Sequence, residues 1–466
     1  MSTNSTTSPS GTLGFMIQDL KESPGKYLTL FGVLLTAILL NKLSTPSLDA
    51  HEPPLLKPRF SIVGHFYGIM KHQNIYLKQL YDKHRRQIAT LPILGGKLYV
   101  IFDPAIIQSA YRKKTLSFEP FAAEFAQREN CIAKDINSIG EGNNMEHANL
   151  WLWLRDVVTM ATAEALYGPD NPMRQEPSLL NDLWTFEAGL NMLLVNVFPA
   201  ITAPRPHQAR ARLQAALGKY YGARKWEHQD AAEIVKCRAR VFVQYNVPGE
   251  EIGHIELALL HVGTANTIPT LYWFFVNIFN QPELVQRLRK EVLPVIQKDG
   301  DSKAVVDVKV LDEKCPLLVS CYREAIRLSN QAMGNRRVLE DTTVTDGNGN
   351  SYLLKKGECP NVCSYRFMDT KDNSEVEKSR RASFIPFGGG RNLCPGRNFA
   401  FAENLGLVTC LLAGFDVTFP DGPQLPAAKS CNFSQAAFKP VDDGKGFGVQ
   451  IERRDGWEGI QWSFKS

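Results

Sequence analysis

No internal repeat and no low-complexity tract interrupts this 466-residue chain, which excludes a solenoid or a propeller as its main architecture. It also lacks a concentrated excess of one charge. The 53 Lys and Arg against 48 Asp and Glu leave a net +5, far from the dense basic patch of a nucleic-acid binder, so no nucleic-acid partner is expected. Cysteine is sparse: nine residues, an odd number without regular spacing, which argues against a disulfide scaffold and suits a reducing compartment. Cys359 and Cys363 form a C-x3-C pair, but no second pair or nearby histidine completes a zinc site, so core packing is the better reading. What the chain does have is apolar residues, 44% of the total, enough for one large helical domain or for two domains.

One candidate membrane segment lies near the N-terminus, at Tyr27 to Asn41 between Lys26 and Lys42. At about 1.5 Å per residue it falls short of a bilayer core of roughly 30 Å unless the lysines snorkel. A secretory signal is the other reading, but no persuasive cleavage site follows it, so an anchor is expected. Pro46, Pro53, Pro54 and Pro58 then predict a stiff hinge. From Gln87 to Phe102 two β-rich runs flank Gly95 and Gly96, the pattern of a hairpin. Between Leu150 and Val292 the periodicity becomes helical, with Pro282 placed to open a new helix. The longest such stretch, Glu251 to Asn280, is apolar on most faces yet carries His254, Glu256, His261, Asn266 and Asn277, so it is expected as the buried central helix of a large domain.

Three motifs carry chemistry. The first is S-F-I-P-F-G-G-G-R-N-L-C-P-G at Ser383 to Gly396, followed by an apolar helical run. Its glycines allow a tight turn against a flat ligand, and Cys394 stands just before a helix start, where N–H groups and the dipole favour a thiolate. The second is Glu324-Ala-Ile-Arg327, whose spacing puts carboxylate and guanidinium on one helix face. The third is Gly263-Thr-Ala-Asn266-Thr267-Ile-Pro269, in which Pro269 lacks the N–H that would bond to Ala265 and so predicts a distorted helix beside an alcohol.

Together these motifs resemble the cytochrome P-450 superfamily, whose haem loop F-x-x-G-x-x-x-C-x-G is filled by Phe387, Gly390, Cys394 and Gly396. The wording A-N-T-I-P is similar to the branch containing cholesterol 7α-hydroxylase, with prostacyclin synthase as a more distant isomerase member. The resemblance implies a mainly α fold, a large helical domain with a small β-rich lobe and haem b between two helices. It implies Cys394 as the axial ligand of the haem iron. It also implies a structural triad of Glu324, Arg327 and Arg366, buried and bracing the haem loop. Haem propionates are assigned to Arg391, Asn392 and Arg337, because the family's usual basic residue two places before the cysteine is here Asn392. Trp151-x-x-x-Arg155 has the form of another propionate contact, but its surroundings look like a later helix, so the match is read as coincidence.

The implied activity is oxidation of an apolar small molecule, a sterol, terpenoid or polyketide of secondary metabolism, with O2 and electrons from an NADPH-cytochrome reductase. Basic residues around the haem loop, Lys378, Arg380, Arg381, Arg391 and Arg397, form either a docking face or an ordinary solvated charge run. Thr267 and Asn266 are the catalytic candidates; Asn266 stands where relatives carry an acid. That replacement leaves open an isomerase or dehydratase acting on a peroxide without a reductase. Pocket candidates are the segment Phe118 to Phe125, Leu260 to Gly263, Gln331 to Asn335, and Phe447. The expected division is an anchor over 1–45, a hinge over 46–60 and a catalytic domain over 61–466. With it go membrane lipid as a partner and a location on the endoplasmic reticulum, the catalytic domain facing the cytosol.

Overall fold

The structure is a computed structural model that describes residues 48–465 apart from 59–64, 94–95, 104–105, 107–115, 118–132, 134, 140–144, 301, 331–332, 336, 347–348, 357–358, 364–383, 390–392, 395, 423–424, 430–435 and 442–445. Helices dominate it, in the order α1 (Phe66–His84), α2 (Leu150–Tyr167), α3 (Leu179–Ala188), α4 (Pro204–Gly222) and α5 (Glu233–Gln244). They continue with α6 (Gly249–Thr264), α7 (Thr267–Phe279), α8 (Pro282–Val292), α9 (Pro316–Ser329) and α10 (Arg397–Gly414). The fold is the mainly helical one expected, with small sheets beside the helical body.

The expected central helix is a pair, α6 and α7, separated at Ala265 and Asn266. The break falls where Pro269 withholds its N–H from the Ala265 carbonyl. Every residue of α7 except Asn277 is buried, as an all-apolar helix requires. The polar residues along the pair are tolerated because most find partners. Glu256 takes the Arg238 guanidinium at 2.9 and 3.0 Å, His254 pairs with Glu251 at 3.3 Å, and Asn277 Nδ2 donates to Trp273 O at 2.7 Å. Gly253 lets α4 cross α6 at close range: a Cβ there would stand 2.3 Å from the backbone nitrogen of Gly218.

Two contacts fix the helices that flank the cysteine loop. α9 opens on Pro316, and the N–H groups of Leu317 and Leu318 donate to the Glu291 carboxylate of α8 at 2.8 and 2.9 Å, so α8 caps its neighbour. Arg289 of α8 is buried and donates to Leu412 O at 2.8 Å, Phe415 O at 2.7 Å and Asp416 Oδ1 at 2.7 Å, which holds the end of α10.

The hairpin is present as β1 (Ile88–Ile93) and β2 (Gly96–Ile101), antiparallel with Ile93 opposite Gly96. β2 pairs in parallel with β4 (Cys359–Cys363), which pairs antiparallel with β3 (Met333–Asn335), so the sheet order is β1-β2-β4-β3. Cys359 and Cys363 therefore end one strand. Part of the proline-rich stretch read as a hinge is packed onto this sheet. Leu56 N–H donates to Thr90 O at 2.9 Å, Thr90 Oγ1 to Pro53 O at 2.7 Å, and the buried Glu52 carboxylate accepts from Lys97 at 2.9 Å and from Tyr99 at 2.7 Å.

The membrane expectations need correction. Among the described residues no helix is long and apolar enough to cross a membrane, and Tyr27 to Asn41 lies outside those residues. The membrane-bound type, the transmembrane anchor, the lipid partner and the placement on the endoplasmic reticulum therefore have no helix among the described residues to rest on and are dropped.

Candidate active site

Cys394 stands three residues before α10 on a loop closed by its own N–H, which donates to Phe387 O at 2.9 Å. The turn inside the loop needs glycine, since Gly388 has φ +73°. Burial raises the Cys394 thiol above its ordinary range; the backbone N–H of Gly396, then the charge and the N–H of Arg397, act in the opposite direction. A soft cation at Sγ would complete what those donors begin. Phe384 and Leu393, on either side, are left exposed although apolar. A half-buried thiol with backbone donors and apolar flanks fits a haem iron and its porphyrin.

The helix break holds the other catalytic candidates, Thr267 and Asn266. Thr264 and Thr270 spend their hydroxyls on their own helices, bonding to Leu260 O at 3.0 Å and to Asn266 O at 2.8 Å. Thr267, buried between them, makes no such back-bond among the described residues. Asn266, by contrast, is engaged: its Oδ1 accepts the N–H of Ala436 at 2.7 Å and of Ala437 at 3.3 Å. It is not an idle stand-in for an acid.

The Glu324–Arg327 pair forms as the spacing predicts, with Nε to Oε2 at 2.6 Å and Nη2 to Oε1 at 2.5 Å. It is not fully buried as expected, because the Glu324 side chain keeps 50% of its exposure on the outer face of α9. Arg366, Gly390, Arg391 and Asn392 lie outside the described residues, as do Phe118 to Phe125, Gln331 and Lys378 to Arg381. Arg337 is placed in a two-residue strand paired with Leu116–Ser117. Arg155 bonds Asp156 and Asn181 while Trp151 packs on Trp184 and Tyr272. Phe447 stacks on Phe419 at 4.9 Å in an aromatic cluster that includes Phe275.

Sequence reasoning missed two features. Lys439 and Glu187 form a buried ion pair beside the Trp184 ring. His261, on α6, is 8% exposed, packs edge-on against Phe186 at 5.6 Å, and has an Nδ1 sealed from solvent with no hydrogen-bond partner among the described residues. No periodicity distinguishes such residues from helical neighbours. Burial lowers the His261 imidazole from 6.5 to about 4. It is therefore neutral in the fold, while the unfolded chain takes up a proton below its ordinary value. Its contribution to stability is present above pH 6.5 and lost as the pH falls toward 4. Between pH 7 and 5 that loss is about 2 kcal/mol. Urea unfolding of His261→Leu should show a correspondingly smaller loss over that interval, and an equal loss in parent and variant would remove His261 as its source.

The thiol loop and the broken central helix, in a helical body with small sheets, define a haem-thiolate enzyme. Comparison with known proteins agrees: the Cytochrome P450 family pattern matches residues 194–437. The chain is 39% identical to a cytochrome P450 monooxygenase of Gibberella zeae, covering 92% of this chain and 94% of the relative. It is also 25% identical to the cytochrome P450 monooxygenase nodJ of Hypoxylon pulicicidum, over 90% of this chain and 93% of the relative. A cholesterol 7-alpha-monooxygenase of Cricetulus griseus is 26% identical over 54% of this chain and 56% of its own length. The chain belongs to the cytochrome P450 family. It is a haem-thiolate monooxygenase acting on small apolar molecules.

Proposed function

We propose that the Cys394 thiolate would hold the iron of haem b and that Thr267 would handle protons for the reaction, within a catalytic domain that includes residues 48–58. When bound, the haem supplies oxygen activation: R–H, O2, two protons and two electrons, delivered from NADPH by a reductase, give R–OH and water. The protein's own residues do the rest. Gly396 and Arg397 direct N–H groups at the sulfur, and the Phe387 carbonyl holds the loop that presents it. At the helix break the Thr267 hydroxyl would hold a water and its proton for the reaction. The observation that carries this reading is the contrast among Thr264, Thr267 and Thr270, of which only the first and last are back-bonded. Arg337, Arg391 and Asn392 remain the candidates for the propionates, and Glu324, Arg327 and Arg366 for the brace of the loop.

The substrate proposed is a sterol, terpenoid or polyketide. The similarity to a cholesterol monooxygenase supports a large hydrocarbon frame. The isomerase alternative rests on the missing acid at Asn266; the similarity to monooxygenases favours the oxidation instead. The substrate is to be found by expression with a reductase and mass spectrometry of extracted metabolites. Thr267→Ala should then release more peroxide per NADPH and form about tenfold less product, with substrate binding nearly intact. Unchanged coupling in that variant would remove Thr267 from proton delivery.

A further inference from the structure

Asn266 is the first link of a hydrogen-bonded chain that ends at the cysteine loop. The segment it grips is held from other sides as well: Phe438 N–H donates to Ser329 O at 2.8 Å, and Trp273 Nε1 to Phe438 O at 2.9 Å. Ala437 forms an antiparallel bridge with Asn330 at the end of α9. Asn330 in turn donates its Nδ2 to Pro386 O at 3.2 Å, one residue before the carbonyl that receives the Cys394 N–H. The links run from the helix break through Ala436–Phe438 and Asn330 to the loop that presents the sulfur.

We infer that Asn266 is a positioning residue whose amide oxygen ties the break in the central helix to the cysteine loop through residues 436–438, and so sets the gap between Thr267 and the sulfur. The inference rests on the reading of Cys394 and Thr267 given above. The side-chain chemistry suits the task. Two adjacent N–H groups need an oxygen acceptor placed at a point where the helix has opened, and a short amide provides it with no net charge. A carboxylate would accept the same two N–H groups. An aliphatic side chain of equal size would leave both without that acceptor.

The test uses the haem-loaded protein and three variants. Asn266→Asp keeps the acceptor, Asn266→Leu removes it, and Asn330→Ala cuts the chain at its other end with Asn266 in place. The first readout is amide hydrogen exchange at Ala436 and Ala437, which should be about tenfold faster in Asn266→Leu and near the parent rate in Asn266→Asp. The second is the affinity of 4-phenylimidazole, followed by the Soret shift, since that ligand must fit the gap. It should change about three- to tenfold in Asn266→Leu and in Asn330→Ala, and less than about twofold in Asn266→Asp. Parent-like exchange in Asn266→Leu would overturn the inference, and so would parent-like azole affinity in Asn330→Ala, because a purely local role for Asn266 predicts no effect there. A parent protein without a thiolate-type carbon monoxide spectrum would instead count against Cys394, while the exchange comparison, which can be repeated without haem, still decides the role of Asn266.

Discussion

Cys394→Ala is expected to abolish the thiolate-type Soret band of the reduced, carbon monoxide-bound protein and all reductase-driven turnover. Two backbone N–H groups and the Arg397 charge converge on this one sulfur, and no neighbouring residue of the loop can offer another thiolate. The alanine variant keeps the small loop, because the closing bond is made by the residue's own backbone N–H to Phe387 O at 2.9 Å. Helix content by circular dichroism should therefore stay close to the parent's while the spectrum is lost. A variant that retains the band would mean that the iron is held by a different cysteine.

The second large effect is expected at Glu187. Its carboxylate is 1% exposed and meets the Lys439 ammonium, which also lies 4.9 Å from the Trp184 ring. Burial already pushes the Lys439 amine down to about 7, so without the carboxylate it stays uncompensated or loses its proton, and breaking a buried pair from one side costs up to about 3–5 kcal/mol. Glu187→Leu should therefore lower the free energy of urea unfolding by about that amount. The double replacement Glu187→Leu with Lys439→Met should recover most of it, since an apolar pair of similar volume carries no desolvation cost. A loss below about 1 kcal/mol in the single variant would show that the pair is dispensable. Because Lys439 follows the segment gripped by Asn266, the same measurement reports how firmly α3 holds that segment.

Much of this was legible in the sequence because local rules decide it. Pro282 starts a helix, the run that ends at Ile93 pairs with the run that opens at Gly96, and Pro269 breaks the central helix four residues upstream. Cys394 and the Glu324–Arg327 pair follow from motifs whose spacing is fixed along the chain. The rest depends on contacts between residues far apart in sequence. Asn266 meets Ala436 across 170 positions, and Trp273 meets Phe438 across 165, so neither pairing has a local signal. The burial expected for Glu324 failed for a related reason. A spacing of three places two side chains on one face of α9, but whether that face is covered depends on elements that come later in the chain.

The packing of residues 52–56 on the sheet bears on where the chain can be shortened. The expected boundary at 61 treats the proline stretch as a stiff hinge outside the catalytic domain. Cutting there would strip from β1 the strand-like segment that shares three hydrogen bonds with Thr90, and from Lys97 and Tyr99 the carboxylate of Glu52. The flank of β1 that Leu56 now covers would become an open sheet edge, the kind of surface through which copies of a protein associate. A truncated form prepared for crystals or for spectroscopy should accordingly begin before Asp49, whose N–H donates to the Glu52 carboxylate at 2.9 Å.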